Sequence, residues 1–257
     1  MYTNLTGLPD AIARAVEHDP YDPGESDITV TGLLRPARQR VLYAQHSEEI
    51  VEDVADRVWA LLGQAVHHIL ERAGQDIGEP VEERLYTAVL GWKVGGKYDS
   101  LRLKLGRLSD YKVTSVWVRF GGSRIPEWTA QLNMLAALCR INRIQPIDSL
   151  SIIAIYRDWS RAELERMPDK YPPKMSEEIA IEAWSQKDTL RYMRDRVRIQ
   201  QIAIKHLPLC TDEERWLNAN TGRYRRCENY CPVAPFCEQW AYTKERQEKE
   251  RAEKRVK

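Results

Sequence analysis

Arg107-Leu108-Ser109-Asp110-Tyr111-Lys112-Val113 is the stretch on which the fold of this chain turns. Gly106 marks a turn just before it, and the seven residues read as a strand. Two residues apart on a strand, Asp110 and Lys112 point to the same side of the sheet. An acid and a cation on one face of a strand demand an explanation, because burying a lone carboxylate costs several kcal/mol unless it is paired or bound to a metal.

Working outward, three antiparallel strands are expected: Glu82 to Leu90, about Trp92 to Leu105 around Gly95-Gly96, and Arg107 to Val113. An apolar stripe from Ile50 to Leu70 predicts a helix from Ser47 to about Ala73, with Ser47 as N-cap and Gly74 as stop. Pro126 opens a second helix through about Ile141, since proline is tolerated at the first helical position. Ser149 to Tyr156 is a nearly continuous apolar run that reads as a strand buried on both faces. Pro172-Pro173 then leads to a long helix from about Ser176 to His206, and the chain ends in an alternating Lys/Glu tail from Lys244. Residues 1–46 are rich in turn signals, including Asp19-Pro20 and Asp22-Pro23-Gly24, around a short extended segment at Ile28-Thr29-Val30-Thr31. This order implies an α/β fold, a mixed central sheet flanked by helices. The expected divisions are 1–46 packing on the core, 47–206 as the core with its long helix, 207–243 as a cysteine region, and 244–257 as a charged tail.

Composition is that of a globular chain, 43% hydrophobic and 30% charged. No apolar run approaches the roughly 18 residues a membrane span needs. Met1-Tyr2-Thr3-Asn4-Leu5-Thr6 lacks a basic stretch followed by an apolar one, so the expected location is the cytoplasm, where cysteines stay reduced. The net charge of +1 excludes nothing, because a local basic surface is enough to bind nucleic acid.

If Asp99 lies on the strand beside Asp110 and His67 on a covering helix, these three groups converge on one divalent cation with Lys112 beside it. Such a constellation suits metal-dependent hydrolysis of a phosphodiester. Singly, Asp99 and Asp110 also read as a solvated hairpin edge or as salt-bridge partners of Lys97 or Lys112. His67 also reads as a half-buried histidine with an ordinary partner. Glu71 shares the helix face of His67, one turn on. Gly63, mid-helix, costs about 1 kcal/mol relative to alanine, which close approach of a neighbouring backbone would justify.

Cys227-x3-Cys231-x5-Cys237, preceded by Cys210, suits a soft-metal site, either tetrahedral Zn²⁺ or an iron–sulfur cluster. Cys139 lies in an apolar helix and reads as a core residue. Lys and Arg outnumber Asp and Glu from Arg215 onward, and Arg223-Tyr224-Arg225-Arg226 mixes cations with an aromatic in a way that suits single-stranded nucleic acid. The tail reads as a solvated helix with i,i+4 ion pairs, and most of the eight tryptophans as core residues.

Together Gly63-x3-His67, Gly96-x2-Asp99, Asp110-x-Lys112 and Gln131-x3-Leu135 resemble the PD-(D/E)XK nucleases of RecB type, above all the phage and CRISPR-associated iron–sulfur exonucleases. The resemblance covers roughly residues 28–156, including an opening Val30-Thr31-Gly32-Leu33-Leu34-Arg35-Pro36-Ala37-Arg38. It implies a restriction-endonuclease-like fold and a DNA exonuclease acting on ends or single strands in phage-type recombination or repair, leaving a 5′-phosphate. His67, Asp99, Asp110 and the Tyr111 carbonyl would bind Mg²⁺ or Mn²⁺. Lys112 would orient water or stabilise charge on the phosphorane. Gln131 would contact the lysine, a metal water or the DNA backbone. The same resemblance implies a [4Fe–4S] cluster on Cys210, Cys227, Cys231 and Cys237, with Zn²⁺ as the alternative. Two departures stand out: Leu135 replaces the usual aromatic, and no cysteine precedes Cys139, Pro36-Ala37 standing about where one would fall. Implied partners are DNA and phage recombination or replication proteins, with self-association open. An endonuclease, an RNase and a non-catalytic cysteine-clamped nucleic-acid-binding protein remain alternatives.

Overall fold

The structure is a computed structural model that describes residues 1–18, 24–76, 83–121, 124–144 and 146–256. The chain begins with β1 (Tyr2–Thr3), α1 (Asp10–Glu17), β2 (Ile28–Thr29), α2 (Val30–Leu34), α3 (Ala37–Gln45), β3 (Glu52–Asp53) and α4 (Val54–Asp76). Its middle carries β4 (Arg84–Val89), β5 (Trp92–Lys97), β6 (Ser100–Arg102), β7 (Arg107–Thr114), α5 (Val118–Gly121), α6 (Ile125–Ile141) and β8 (Ser149–Tyr156). Next come α7 (Arg161–Arg166), β9 (Ser176–Ile181) and α8 (Gln186–Ala203). It closes with β10 (Leu217–Asn218), β11 (Arg223–Tyr224), α9 (Arg225–Asn229) and α10 (Glu238–Val256).

Two compact units result. A terminal unit combines Met1–Ala13, Arg35–Asp56 and Arg198–Lys257, and a central unit combines Arg14–Leu34 and Arg57–Val197. The central unit holds a three-stranded sheet ordered β2-β5-β4 and a four-stranded sheet ordered β6-β7-β8-β9. In the larger sheet β7 and β8 run parallel, while β6 and β9 are antiparallel to their neighbours. This is the mixed, helix-flanked α/β architecture expected of the restriction-endonuclease-like class. Among the described residues, no helix is long and apolar enough to cross a membrane.

Helix α6 organises the core. It contacts β4, β5, β7, β8 and β9, and every residue from Trp128 to Cys139 is buried except Gln131. A helix apolar nearly all round is stable only when enclosed. Leu132, Met134, Leu138 and Cys139 pack with Val94, Leu101, Leu108 and Ile152 of the strands. Strand β8 lies between β7 and β9, which explains its apolar run.

Several expectations shift. The strand expected from Trp92 to Leu105 is three pieces, because the chain leaves one sheet after Lys97 and enters the other at Ser100 before a short 3₁₀ turn at Leu103–Leu105. Gly106 makes the expected turn, with φ of 55°. Ser176–Ile181 is strand rather than helix. Its exposure alternates residue by residue, the period-2 pattern of an edge strand, and it pairs with β8. The helix begins only at Gln186. Helix α4 starts at Val54 rather than Ser47, with the Asp53 carboxylate accepting from the Ala55 N–H at 3.0 Å, and it runs past Gly74. Within α4 only Val54 is buried, and Leu62 and Ile69 of the expected apolar stripe are exposed.

Helices α1 and α3 stand where turns were expected, and Val30 opens a helix rather than extending a strand. The turn signals of residues 19–23 and the Glu82 end of the first expected strand lie outside the described residues. Cys139 is a core residue, as expected. The tryptophans are not. Only Trp128 is buried, Trp59 and Trp117 are exposed, and the rest are half-buried, in keeping with the need of the indole N–H for a partner. The tail forms α10 with the i,i+4 pairs Lys249–Glu245 at 2.7 Å and Arg246–Glu250 at 3.7 Å.

Candidate functional site

Asp99 sits at the break between β5 and β6, and the break is what frees its side chain. Extending the β6–β7 register from Ser100↔Ser109 would set Tyr98 against Tyr111. Instead, the Tyr111 N–H donates to Asp99 Oδ2 at 2.8 Å. An acid is disfavoured inside a strand, and here its carboxylate takes the place of the ladder acceptor. His67, on α4, brings Nδ1 to 3.3 Å from the same Asp99 oxygen, and its ring meets that of Tyr111 edge-on at 6.3 Å.

Asp110, in the middle of β7, is 2% exposed. Gln131 Nε2 donates to its Oδ1 at 3.0 Å, and the Lys112 ammonium forms an ion pair with its Oδ2. Oδ2 is fully buried and receives no hydrogen bond of good geometry, so the ammonium is the cation paired with it. The expected same-side placement of Asp110 and Lys112 is thus observed. Gln131 reaches Asp110 rather than Lys112, and the one half-exposed position of an otherwise enclosed helix face is the one that points at the acid.

The electrostatics follow from burial and mutual charge. Burial pushes the Asp110 carboxyl up to about 6, and the negative charge of Asp99 adds to this against the pull of Lys112 and His67. Burial alone would lower His67, but the hydrogen bond and charge of Asp99, with Asp110, overcome it and raise the imidazole. Burial likewise opposes charge on Lys112, yet Asp110 and Asp99 outweigh it and hold the ammonium above its ordinary value.

Carboxylates and an imidazole are donor types that would suit Mg²⁺ or Mn²⁺, with the imidazole favouring Mn²⁺. The buried, poorly satisfied Asp110 Oδ2 fits a cation ligand. Among the described residues, no three His, Cys, Asp or Glu side chains are placed to hold a metal ion together, so a cation would have to draw them closer. Tyr111 N–H and the Lys112 ammonium hold the oxygens a cation would use.

Other sequence candidates lie elsewhere. Glu71 is 3.7 Å from His68 Nδ1. Gly63 brings no neighbour close: a Cβ there would meet nothing within 4 Å. The motif glycine that does permit close approach is Gly96, packed against Leu135, Leu138 and Val30. Leu135 is therefore a core residue, 3% exposed, and not a surface contact. Two residues were missed. Glu127, one helical turn before Gln131, acts on the Lys112 charge, and the i,i+4 spacing was its signal. Asp158 accepts from Ser115 Oγ at 2.6 Å and from the Val116 N–H at 2.7 Å, pinning the loop after β7; nothing in the sequence marked it.

In the terminal unit Cys210, Cys227, Cys231 and Cys237 line a single pocket, together with Pro36, near which the resemblance expected a cysteine. Val233, between the last cysteines, is buried with Leu42 and Ile50. Burial and neighbouring groups push the Cys210 thiol up to about 12 and Cys231 to about 11, and burial also raises Cys227. As neutral thiols they must shed protons to take a metal.

No protein-family model and no curated protein matches the chain. Among solved structures it resembles SSO0001, with a TM-score of 0.56 and 17% identity over 89% of this chain and 94% of that one. That likeness concerns the fold. A fainter one, with a TM-score of 0.35 and 10% identity over 77% of this chain and 83% of the other, is to a phage-related exonuclease from Haemophilus somnus 129PT, and it carries no functional argument.

Proposed function

We propose that this chain is a metal-dependent nuclease of the PD-(D/E)XK, RecB type, an exonuclease acting on DNA ends or single strands in phage-type recombination or repair. The observation that supports it is a pair of adjoining contacts around β7: His67 of α4 on Asp99 at the β5–β6 break, and Lys112 of β7 with Gln131 of α6 on the buried Asp110 carboxylate. A Mg²⁺ or Mn²⁺ bound by His67, Asp99, Asp110 and the Tyr111 carbonyl would supply Lewis acidity toward the phosphate and an activated water. Lys112 keeps its proton, because the carboxylates raise its pKa, so it serves as a positive charge beside the scissile phosphate rather than as a base. Gln131 holds Asp110 in orientation and favours its ionised form. Asp99 spans two strands and fixes their spacing through the Tyr111 N–H. The four cysteines of the terminal unit would carry a structural [4Fe–4S] cluster, or Zn²⁺ in its place.

The test is digestion of end-labelled single- and double-stranded DNA with Mn²⁺. At least one substrate should be degraded by the wild-type chain and none by Asp110→Ala. Activity persisting in that variant would sink the site assignment. Circular DNA cut as readily as linear would replace the exonuclease with an endonuclease, and cleavage of RNA alone would make it an RNase.

A further inference from the structure

The cysteine pocket also contains two buried cations, Arg38 and Arg215, that form no ion pair with a carboxylate among the described residues. Arg38 and Arg215 are each only 6% exposed. Arg38 Nε donates to Cys237 Sγ at 3.3 Å and its Nη1 to the Pro208 carbonyl at 3.3 Å. Arg215 Nη2 donates to Thr243 Oγ1 at 2.8 Å, and its guanidinium lies 3.5 Å from the Tyr224 ring centroid and against the Cys227 thiol. Its Nε is buried with no hydrogen-bond partner at all. Arg226 lines the pocket too, over the Trp216 ring at 4.2 Å. The acid among the lining residues is Glu214, which accepts from the Thr211 N–H at 3.1 Å.

Burying a guanidinium without a countercharge is strongly unfavourable, and burying two in one pocket compounds it. Neutral thiols supply no charge. Four thiolates around a centre of charge 2+ do: their complex carries two negative charges, whether the centre is a divalent ion or an oxidised four-iron cluster. Arg38 and Arg215 bring two buried positive charges to the lining. The two cancel.

We infer that Arg38 and Arg215 are the built-in countercharges of a doubly negative tetrathiolate centre in this pocket. The inference rests on reading the four cysteines as metal or cluster ligands, and it adds the charge state of the complex and the residues that neutralise it. N–H donors to thiolate sulfur are charge-assisted and stronger than those to a thiol. Arg38 sits at the start of α3, so loading the centre would also tighten α3 onto the cysteine segment within the terminal unit. Arg215 plays the same part from the loop before β10, with its free Nε as the donor still to be used.

The test uses the full chain, stripped of metal under anaerobic conditions and titrated with Co²⁺, whose thiolate charge-transfer absorption reports sulfur ligation. The wild-type chain should bind Co²⁺ with that signature. Arg38→Gln and Arg215→Gln, which keep an N–H donor and lose the charge, should each bind about 10-fold more weakly or worse. Arg38→Lys and Arg215→Lys should recover most of the affinity. Glutamine variants that fold, by circular dichroism, and bind within about 2-fold of wild type would overturn the countercharge inference and leave the cysteine reading intact. If a glutamine variant fails to fold, the lysine variant decides: near wild-type affinity supports the role of charge, and a loss of about 10-fold or more overturns it. A wild-type chain that takes neither Co²⁺ nor iron with sulfide refutes the cysteine reading itself.

Discussion

Two glycines of the motif pattern should respond to the same substitution with opposite signs. At Gly96 an added Cβ would stand 2.7 Å from Leu135 Cδ2, 2.8 Å from Leu138 Cδ1 and 3.0 Å from Val30 Cγ2, contacts that real Cβ atoms do not tolerate. Two of those atoms belong to α6, enclosed and unable to withdraw freely. Overpacking of this kind costs about 1–3 kcal/mol. The entropy gained on replacing glycine in a strand returns about 0.5–1 kcal/mol. From the midpoints of these ranges Gly96→Ala should destabilise by about 1 kcal/mol, which for a unit of this size lowers Tm by about 2–4 °C. At Gly63 nothing lies within 4 Å, so Gly63→Ala should stabilise α4 by about 0.5–1 kcal/mol and raise Tm by about 1–4 °C. The assay is thermal unfolding followed by circular dichroism, with endpoint digestion of DNA in parallel. Because Gly96 lies three residues before Asp99, its variant should also lose the proposed nuclease activity, while Gly63→Ala should keep it. An unchanged Tm for Gly96→Ala, or a lowered one for Gly63→Ala, would refute the packing argument.

Gln131→Ala should strand Asp110 Oδ1, a buried oxygen whose hydrogen bond at 3.0 Å it removes, at a cost of about 1–3 kcal/mol. Losing a donor to the charged form moves the Asp110 pKa further above about 6, so the acid limb of the pH–rate profile should shift to higher pH; a limb that stays put would dissociate Gln131 from the carboxylate. Asp158 tests the loop after β7. Burial pulls its pKa up, but the Ser115 and Val116 hydrogen bonds outweigh that and hold it below the usual carboxylate range. A depressed carboxylate stabilises fully above its unfolded pKa, and that contribution is lost as pH falls through the folded value. Asp158→Asn should accordingly lower Tm at neutral pH by an amount that shrinks below about pH 4, and a difference independent of pH would rule out the ionised hydrogen-bond role.

Local pattern carried much of this. Asp110 and Lys112 share a side of β7 because strand periodicity leaves no choice, and β8 lies between two strands because its eight residues are almost all apolar. Helix α6 could be placed from Pro126, and the four C-terminal cysteines from their spacing. Local pattern failed at Ser176–Ile181, where adjacent Glu177-Glu178 followed by Ile179-Ala180-Ile181 shows no period-2 alternation of polarity to mark a strand. It failed again at residues 10–17 and 37–45, where prolines and glycines nearby suggested turns.

Residue types, spacing and periodicity by themselves determined the α/β class, the acid–lysine strand and the cysteine cluster, since each depends on neighbours a few positions apart. Which partners those groups meet was decided only in three dimensions. Asp99 accepts from Tyr111 because the chain changes sheets at that residue, and Gln131 meets Asp110 from the one position between Trp128 and Cys139 of α6 that is not buried. Gly96 matters, and Gly63 does not, for the same reason: one backbone is pressed by a helix and the other faces open space. Arg38 lies 199 residues from the cysteine it touches. Contacts across such separations are set by how elements pack, and no local pattern in the chain encodes them.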